Sequence, residues 1–491
     1  YLPSLDIYLM GDDFEFLNES YGIRTNPAVM LSKINHFFRP LIKLSFFLEY
    51  TFFKTQAPFY NLTNILIHLL NVFLLYILVF RLTGKNHIAF LTTLAYGTSP
   101  IYSEAILWCS ARADSIPLVF MLGVILFFDK NARKKTPARY LAIILFTLCA
   151  LGSKETWMIL PFLVLSYLLI VKHKSFKTAL RKTFPLFLLL ALYIAYFIGL
   201  PLLSGGASAP TAYANAGAAA AAKKFAFLIF QYMGLSNFFT GAAWQYIPVF
   251  LFLTGLGYRF IRTKNRLALW GLTWMLLGLS ISLPIAFAPA RYNYIPLVGF
   301  WMMIIAFLSR EIEMLMQRFR LHPRTVFLVS GILMILCLTL QVTWLQREID
   351  DYRVRGLPHK RIVDMYQLIK DRLPHDRPII FQDLSTRRAE HELIGKLKGY
   401  EKVLFVRKRA IWGLVFLTPL VNFAGDPFRE ILEPIPGQDL ESVLLMDFTV
   451  LVFSDEGFFI SDTSKARFRE YYHTYGKLPY KVEALHFVPV K

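Results

Sequence analysis

Asn61-Leu62-Thr63-Asn64-Ile65-Leu66-Ile67-His68-Leu69-Leu70-Asn71 opens the stretch that decides the fold. Continued to Phe80, it runs without a single Asp, Glu, Lys or Arg. About 20 such residues suffice to cross a bilayer as a helix. Asn61, Asn64, His68 and Asn71 recur at intervals of three, four and three, so they share one helical face while the others are apolar. A polar stripe at membrane depth must look at protein or at a water-filled cavity. Two readings of it stand: hydrogen bonds between helices, or a face turned to a substrate.

Working outward, the rest of the chain repeats the pattern. Of 491 residues, 56% are hydrophobic and only 18% charged, a balance that favours a multi-pass membrane protein over a soluble one. Apolar runs fall at about 61–80, 88–100, 115–128, 140–151, 157–171, 184–203, 244–260, 267–287, 297–309 and 326–344. The net charge of +20 lies largely in short loops between these runs. It records orientation and attraction to anionic headgroups rather than nucleic-acid binding. Cys109, Cys149 and Cys337 have neither metal-site spacing nor the pattern of a disulfide framework. The chain opens at Tyr1 without Met, and an N-terminal segment holding one further helix is expected before it.

Basic loops at 129–139, 172–182 and 259–266, with the charged segment 310–324, predict the cytoplasmic face. Alternation then puts 1–60, 101–114, 152–156 and 289–296 outside, with 225–240 as an interfacial or re-entrant helix on that side. For 204–222, with its run Ala218 to Ala222, an ordered alanine helix and an outer loop both remain open. Three regions result: a first non-cytoplasmic loop, 1–60; a transmembrane body, 61–345; and a small mixed α/β domain, 346–491, also non-cytoplasmic. In the last, 361–373 has helical spacing, and 378–381, 403–406, 443–446 and 451–453 resemble strands.

This topology gathers Asp12, Asp13, Arg39, Glu104, Arg112, Asp114, Lys154, Glu155 and Arg291 at one membrane face. Transfer of a sugar from a phospholipid carrier needs a carboxylate to take the nucleophile's proton, cations for the departing phosphate, and a greasy groove for the isoprenoid. Asp12 or Asp13 fits the first need; Arg39, Arg112, Lys154 and Arg291 fit the second. His68 is a candidate substrate-facing base or a structural hydrogen-bonding residue. No cofactor is called for, although adjacent carboxylates also meet the needs of a divalent cation such as Mg²⁺ or Mn²⁺. The plainer readings are that Asp12 and Asp13 cap a helix, that Glu104, Asp114 and Glu155 pair with Arg112 and Lys154 to pin loops, and that Arg291 snorkels.

Several stretches occur in an order known from one enzyme group. They are the acidic pair, Phe38-Arg39-Pro40-Leu41, Tyr60 through Asn71, Ser99-Pro100-Ile101-Tyr102-Ser103-Glu104-Ala105 with Arg112-Ala113-Asp114, Ser153-Lys154-Glu155-Thr156, and Arg291-Tyr292-Asn293-Tyr294-Ile295-Pro296. Together, over roughly residues 8–345, the chain resembles the polytopic GT-C glycosyltransferases, especially the protein O-mannosyltransferase-like group with the transmembrane and tetratricopeptide-repeat mannosyltransferases. It lacks the repeats after its last span. The resemblance implies a polyprenyl-phosphate-linked sugar donor and a protein, glycan or lipid acceptor. It also implies a catalytic Asp12 or Asp13 and a donor phosphate held by Arg291 and Lys154, with Arg39 and Arg112 as further phosphate contacts; His68 and Glu104 stand beside these as candidate substrate-binding residues. A non-catalytic GT-C-like subunit of a membrane assembly is the alternative, and a lipid-linked-sugar transporter a second one, although no paired hydrophobic repeats are seen.

Overall fold

The computed structural model describes residues 1–32, 37–129, 137–196, 217–233, 240, 242, 245–283, 285, 289–319, 323–369, 379–383, 449–454 and 457–460. Helices dominate: α1 (Asp13–Thr25), α2 (Pro40–Phe53), α3 (Ala57–Thr83), α4 (Asn86–Gly97), α5 (Glu104–Leu107), α6 (Arg112–Asp129) and α7 (Pro137–Leu151). They continue with α8 (Leu160–Ser166), α9 (Phe176–Ile194), α10 (Ala218–Tyr232), α11 (Tyr246–Arg262), α12 (Arg266–Ser282), α13 (Pro296–Phe319) and α14 (Pro323–Ile369). Each apolar run read from the sequence overlaps a helix, although the runs 88–100 and 267–287 extend past the ends of α4 and α12, and the alanine run Ala218–Ala222 forms the start of α10.

Two stretches are long and apolar enough to cross a bilayer unaided among the described residues: Ala57–Thr83, with a mean hydropathy of 2.3, and Cys109–Asp129, with 1.8. The side-chain distribution on α3 is inverted relative to a helix in water. Its polar stripe, Asn61, Asn64, His68 and Asn71, is buried, while Leu62, Leu66, Leu69, Leu70 and Phe73 are exposed. Leu141, Ile144, Leu145 and Leu148 on α7 form a second exposed apolar row, and Ile247, Phe250, Leu251 and Ile261 a third on α11. Such contiguous apolar surface requires an apolar surrounding. The chain is a mostly helical, polytopic membrane protein.

The chain divides into two compact units. The first comprises Tyr1–Ile7, Met30–Ser45 and Pro58–Tyr352. Its tightest helix contact is α12 against α13, made by glycines: a Cβ on Gly271 would lie 2.7 Å from Gly299 O and from Met303 N, and one on Gly278 would lie 2.9 Å from Pro296 Cα. Small residues let helix backbones approach closely where lipid supplies no hydrophobic drive between helices. Trp270, Trp274, Met275 and Leu279 fill the remaining α12 surface, all of them fully buried.

The second unit comprises Tyr8–Val29, Phe46–Ala57 and Arg353–Lys491. In it α1 buries Phe14, Phe16 and Leu17, and the rings of Phe16 and Phe46 stack at 4.9 Å between centroids. Three strands are described, β1 (Ile379–Asp383), β2 (Thr449–Ser454) and β3 (Gly457–Ile460). β1 runs parallel to β2 with Ile379 opposite Thr449, and β2 antiparallel to β3 with Leu451 opposite Ile460. They overlap the strands expected at 378–381 and 451–453; those expected at 403–406 and 443–446 lie outside the described residues. The helix expected over 361–373 is the end of α14, which runs unbroken through residue 345.

Candidate functional site

In the first unit, the loops between helices are short 3-10 turns, Pro100–Tyr102, Cys109–Ala111, Glu155–Ile159 and Ala290–Asn293. Turns buried at a helical bundle's end leave peptide groups that the ladder of a helix would otherwise satisfy. The α3 stripe supplies the partners. Asn61 Nδ2 donates to Ile7 O at 2.7 Å, Asn64 Nδ2 to Ile106 O at 3.1 Å and Trp108 O at 3.0 Å, and Asn71 Nδ2 to Ser115 O at 2.9 Å. Arg112 does the same from the head of α6. It is fully buried, with Nε donating to Cys109 O at 3.0 Å, Nη2 to Tyr60 O at 3.1 Å and Nη1 to Ser45 Oγ at 3.4 Å.

His68 links this stripe to the last turn. Its Nε2 lies 3.0 Å from Gly97 O, which can only accept, so Nε2 carries the proton and Nδ1 accepts from Tyr294 Oη at 2.9 Å. Asn71 Nδ2 also donates to Tyr294 Oη, at 3.1 Å. The rest of the 291–295 segment is held as closely. Tyr96 Oη donates to Tyr294 O at 3.2 Å, Trp274 Nε1 to Ile295 O at 3.1 Å, and Tyr232 Oη to Asn293 Oδ1 at 2.7 Å. Side chains from α3, α4, α10 and α12 thus fix the segment that carries Arg291.

Four of the charges expected at one face meet here. Arg291 Nη1 pairs with Glu104 Oε1, whose other oxygen accepts the Arg291 amide at 3.0 Å. Arg291 Nε lies 3.5 Å from Asp114 Oδ2, and Lys154 Nζ 2.5 Å from Asp114 Oδ1. Arg39 joins Glu155 at 3.2 Å. Three cations and three carboxylates therefore balance. The pairs are sheltered: the Lys154 and Asp114 side chains are 7% and 3% exposed. Aromatic faces complete the surround, with the Arg291 guanidinium 4.8 Å from the Trp108 ring centre and Lys154 Nζ 4.4 Å from that of Tyr292.

Burial disfavours the charged ammonium and pulls the Lys154 pKa from 10.5 down to about 8; the Asp114 carboxylate opposes the shift, and the Arg39 and Arg291 charges add to it. For Arg291, burial acts downward too, but Glu104 and Asp114 outweigh it and its pKa rises. A small cleft opens beside these groups. Asp114, Thr156, Arg291 and Tyr292 contribute to its lining, and so do Ile159, Ile281 and Ile295. Thr156 Oγ1 is buried there with no hydrogen-bond partner among the described residues. At about 10 Å³ the cleft has room for about one water molecule, and charged and isoleucine side chains share its lining.

In the second unit, Gly11 takes φ +53°, a left-handed conformation that glycine adopts without strain, and turns the chain into α1. Asp12 is the N-cap residue and is exposed. Asp13, one position on, is 1% exposed, and its Oδ2 accepts the Met10 amide at 2.9 Å. Asp13 and Glu15 lie in the first turn, where the helix dipole favours negative charge.

Of the residues selected from the sequence, the structure brings Glu104, Lys154 and Arg291 together around Asp114, and Arg39 to Glu155. Arg112 and His68 sit in the hydrogen-bond framework of the loops, and Asp12 and Asp13 begin α1. Trp108, Thr156 and Tyr292 are not among the residues expected to act: Thr156 and Tyr292 lie inside motifs quoted above, and Trp108 lies between Glu104 and Arg112.

A family model described as dolichyl-phosphate-mannose-protein mannosyltransferase matches residues 46–200. That segment includes Glu104, Asp114, Lys154 and the α3 stripe, and excludes Asp12, Asp13, Arg39 and Arg291. No protein of curated function matches the chain. Among solved structures, ArnT from Cupriavidus metallidurans bound to undecaprenyl phosphate aligns with a TM-score of 0.48 and 14% identity over 91% of this chain and 90% of that one. The same protein in its apo state aligns with a TM-score of 0.46 and 15% identity over the same shares.

Proposed function

We propose that this protein transfers a sugar from a polyprenyl-phosphate-linked donor to a protein, glycan or lipid acceptor at the non-cytoplasmic face of a membrane. The observation that carries the reading is the sheltered cluster of Lys154 and Arg291, held by Asp114 and Glu104 in loops expected at one membrane face. The matched family's description makes a mannosyl donor the first to try.

The chemistry sets the demand. The bond from sugar C1 to the phosphate oxygen breaks, a bond from the acceptor oxygen or nitrogen to C1 forms, and the acceptor's proton goes to a carboxylate. The phosphodiester carries one negative charge and the released polyprenyl phosphate gains a second, so cations that meet the phosphate act where charge develops. Arg291 takes that role, its planar fork suited to two phosphate oxygens, with Lys154 as a point charge beside it. Glu104 and Asp114 hold these cations in place before the donor enters, and the Thr156 hydroxyl, which has no partner among the described residues, offers a further donor to phosphate oxygen. Arg39 with Glu155 borders the group. Asp12, exposed at the head of α1, is the proton acceptor; Asp13 shapes the turn that presents it. His68 and Arg112 position the loops.

The test is donor binding by the detergent-solubilised full chain, read by photocrosslinking to a diazirine-bearing polyprenyl-phosphate mannose. Arg291→Lys retains charge but loses the fork, and Lys154→Met removes the second cation; each should lower crosslinking about tenfold or more, while Asp12→Asn leaves it intact. Crosslinking unchanged in both cation variants would remove these residues from the donor site. One observation favours the second reading, a non-catalytic subunit: every cation in the cluster already has a carboxylate partner. That reading expects neither donor binding nor transfer.

A further inference from the structure

We propose that α9 seats an anionic phospholipid of the surrounding bilayer, its phosphate at Lys177 and Arg181 with Lys174 alongside, and an acyl chain along Phe184, Leu188 and Leu192. This reading concerns the membrane-facing surface and does not depend on the sugar-transfer proposal.

The helical wheel of α9 separates two faces. At about 100° per residue, Lys177, Arg181, Phe184, Leu188 and Leu192 fall within an arc of about 80°. The buried residues of α9, Ala179, Thr183, Leu186, Leu190 and Tyr193, occupy an arc of similar width on the opposite side. The first arc is therefore the face turned away from protein. Lys177, Arg181, Phe184, Leu188 and Leu192 are all exposed, as is Lys174 in the turn just before the helix. One face thus changes from basic to wholly apolar as the helix proceeds.

Two further observations identify the occupant. Among the described residues, Lys174, Lys177 and Arg181 have no carboxylate partner, whereas the neighbouring Lys172 is held by Asp129 at 2.6 Å. Three exposed cations on one face, with no carboxylate partner among the described residues, complement an external anion. The spacing supplies its shape: from Arg181 to Leu192 the helix rises about 16 Å, close to the roughly 15 Å depth of one leaflet's hydrocarbon. A headgroup phosphate at Arg181 thus leaves its chain the length of the apolar row. A zwitterionic lipid has the same chains but gains less from the basic cluster.

The experiment compares wild-type full chain in neutral detergent with a Lys174→Gln/Lys177→Gln/Arg181→Gln variant, and uses Arg262→Gln as a basic-surface control. Native mass spectrometry during titration with phosphatidylglycerol, phosphatidylcholine or polyprenyl phosphate gives the affinities, and circular dichroism with the Tm in lipid-free detergent checks the fold. At about fivefold per charge removed, the triple variant should lose on the order of a hundredfold in phosphatidylglycerol affinity. Wild type should prefer phosphatidylglycerol over phosphatidylcholine, and Arg262→Gln should match wild type. If the triple variant misfolds, Arg181→Gln alone should lose about fivefold. Equal affinity of wild type for the two phospholipids, unchanged binding in the Arg181 variants, or loss confined to polyprenyl phosphate would each overturn the proposal.

Discussion

The Lys154–Asp114 pair makes a prediction whose size follows from its burial. In the folded chain Lys154 titrates at about 8 rather than 10.5. Between these values the unfolded chain binds more protons than the folded one, so rising pH stabilises the fold, and the penalty of the buried ammonium is present in full below about pH 8. At about 1.4 kcal/mol per pH unit of difference, the whole term amounts to roughly 3 kcal/mol, about 2 of which is recovered by pH 9.5. For a chain of this length the unfolding entropy converts 2 kcal/mol into a Tm change of about 2 °C. Lys154→Met removes the titrating group. The expected result is a wild-type Tm that rises by about 2 °C relative to Lys154→Met between pH 7 and 9.5, measured in one detergent at constant ionic strength. Parallel profiles would refute the reasoning, because they would mean that Lys154 has the same pKa folded and unfolded.

Two further substitutions probe the framework. Gly271→Ala places a methyl group against Gly299 O and Met303 N, two backbone atoms that cannot swing aside, so thermal unfolding should show a loss of about 1–3 kcal/mol; the exposed Gly255→Ala, with open space around it, should show none. Tyr294→Phe removes the hydroxyl shared by His68 and Asn71 inside the protein, and should lower stability by about 1–3 kcal/mol with a further loss of donor crosslinking through the displaced Arg291. Unchanged crosslinking at full occupancy of the fold would separate the Tyr294 bonds from the position of Arg291.

The helices were legible because hydropathy is a local property. The run 61–80 lies inside α3, and the spacing of Asn61, Asn64, His68 and Asn71 assigns them to one face of it. What the face meets was not legible: the partners are carbonyls of Ile7, Ile106, Trp108 and Ser115, chosen by loop paths rather than by periodicity. Topology grouped Glu104 with Arg291, yet 187 residues separate them, and nothing in either neighbourhood specifies that Glu104 takes both the guanidinium and the amide. Asp12 and Asp13 could not be told apart in the sequence. The turn at Gly11 distinguishes them, exposing one carboxylate and burying the other on the Met10 amide. In the C-terminal region, β-branched and aromatic runs located two strands, while the length of α14 was hidden by its change from apolar to charged composition near residue 345.

Carboxylate-dependent sugar transfer is the proposed activity. Its most direct test is transfer of radiolabelled sugar from a panel of polyprenyl-phosphate donors in membranes carrying wild type, Asp12→Asn or Asp13→Asn protein at matched abundance. The account predicts transfer by wild type, a loss of about 10²–10⁴-fold in Asp12→Asn with donor crosslinking preserved, and a defect in Asp13→Asn that follows its loss of folded protein. Undiminished transfer in Asp12→Asn, or a wild type that binds donors without transferring from any of them, would contradict it.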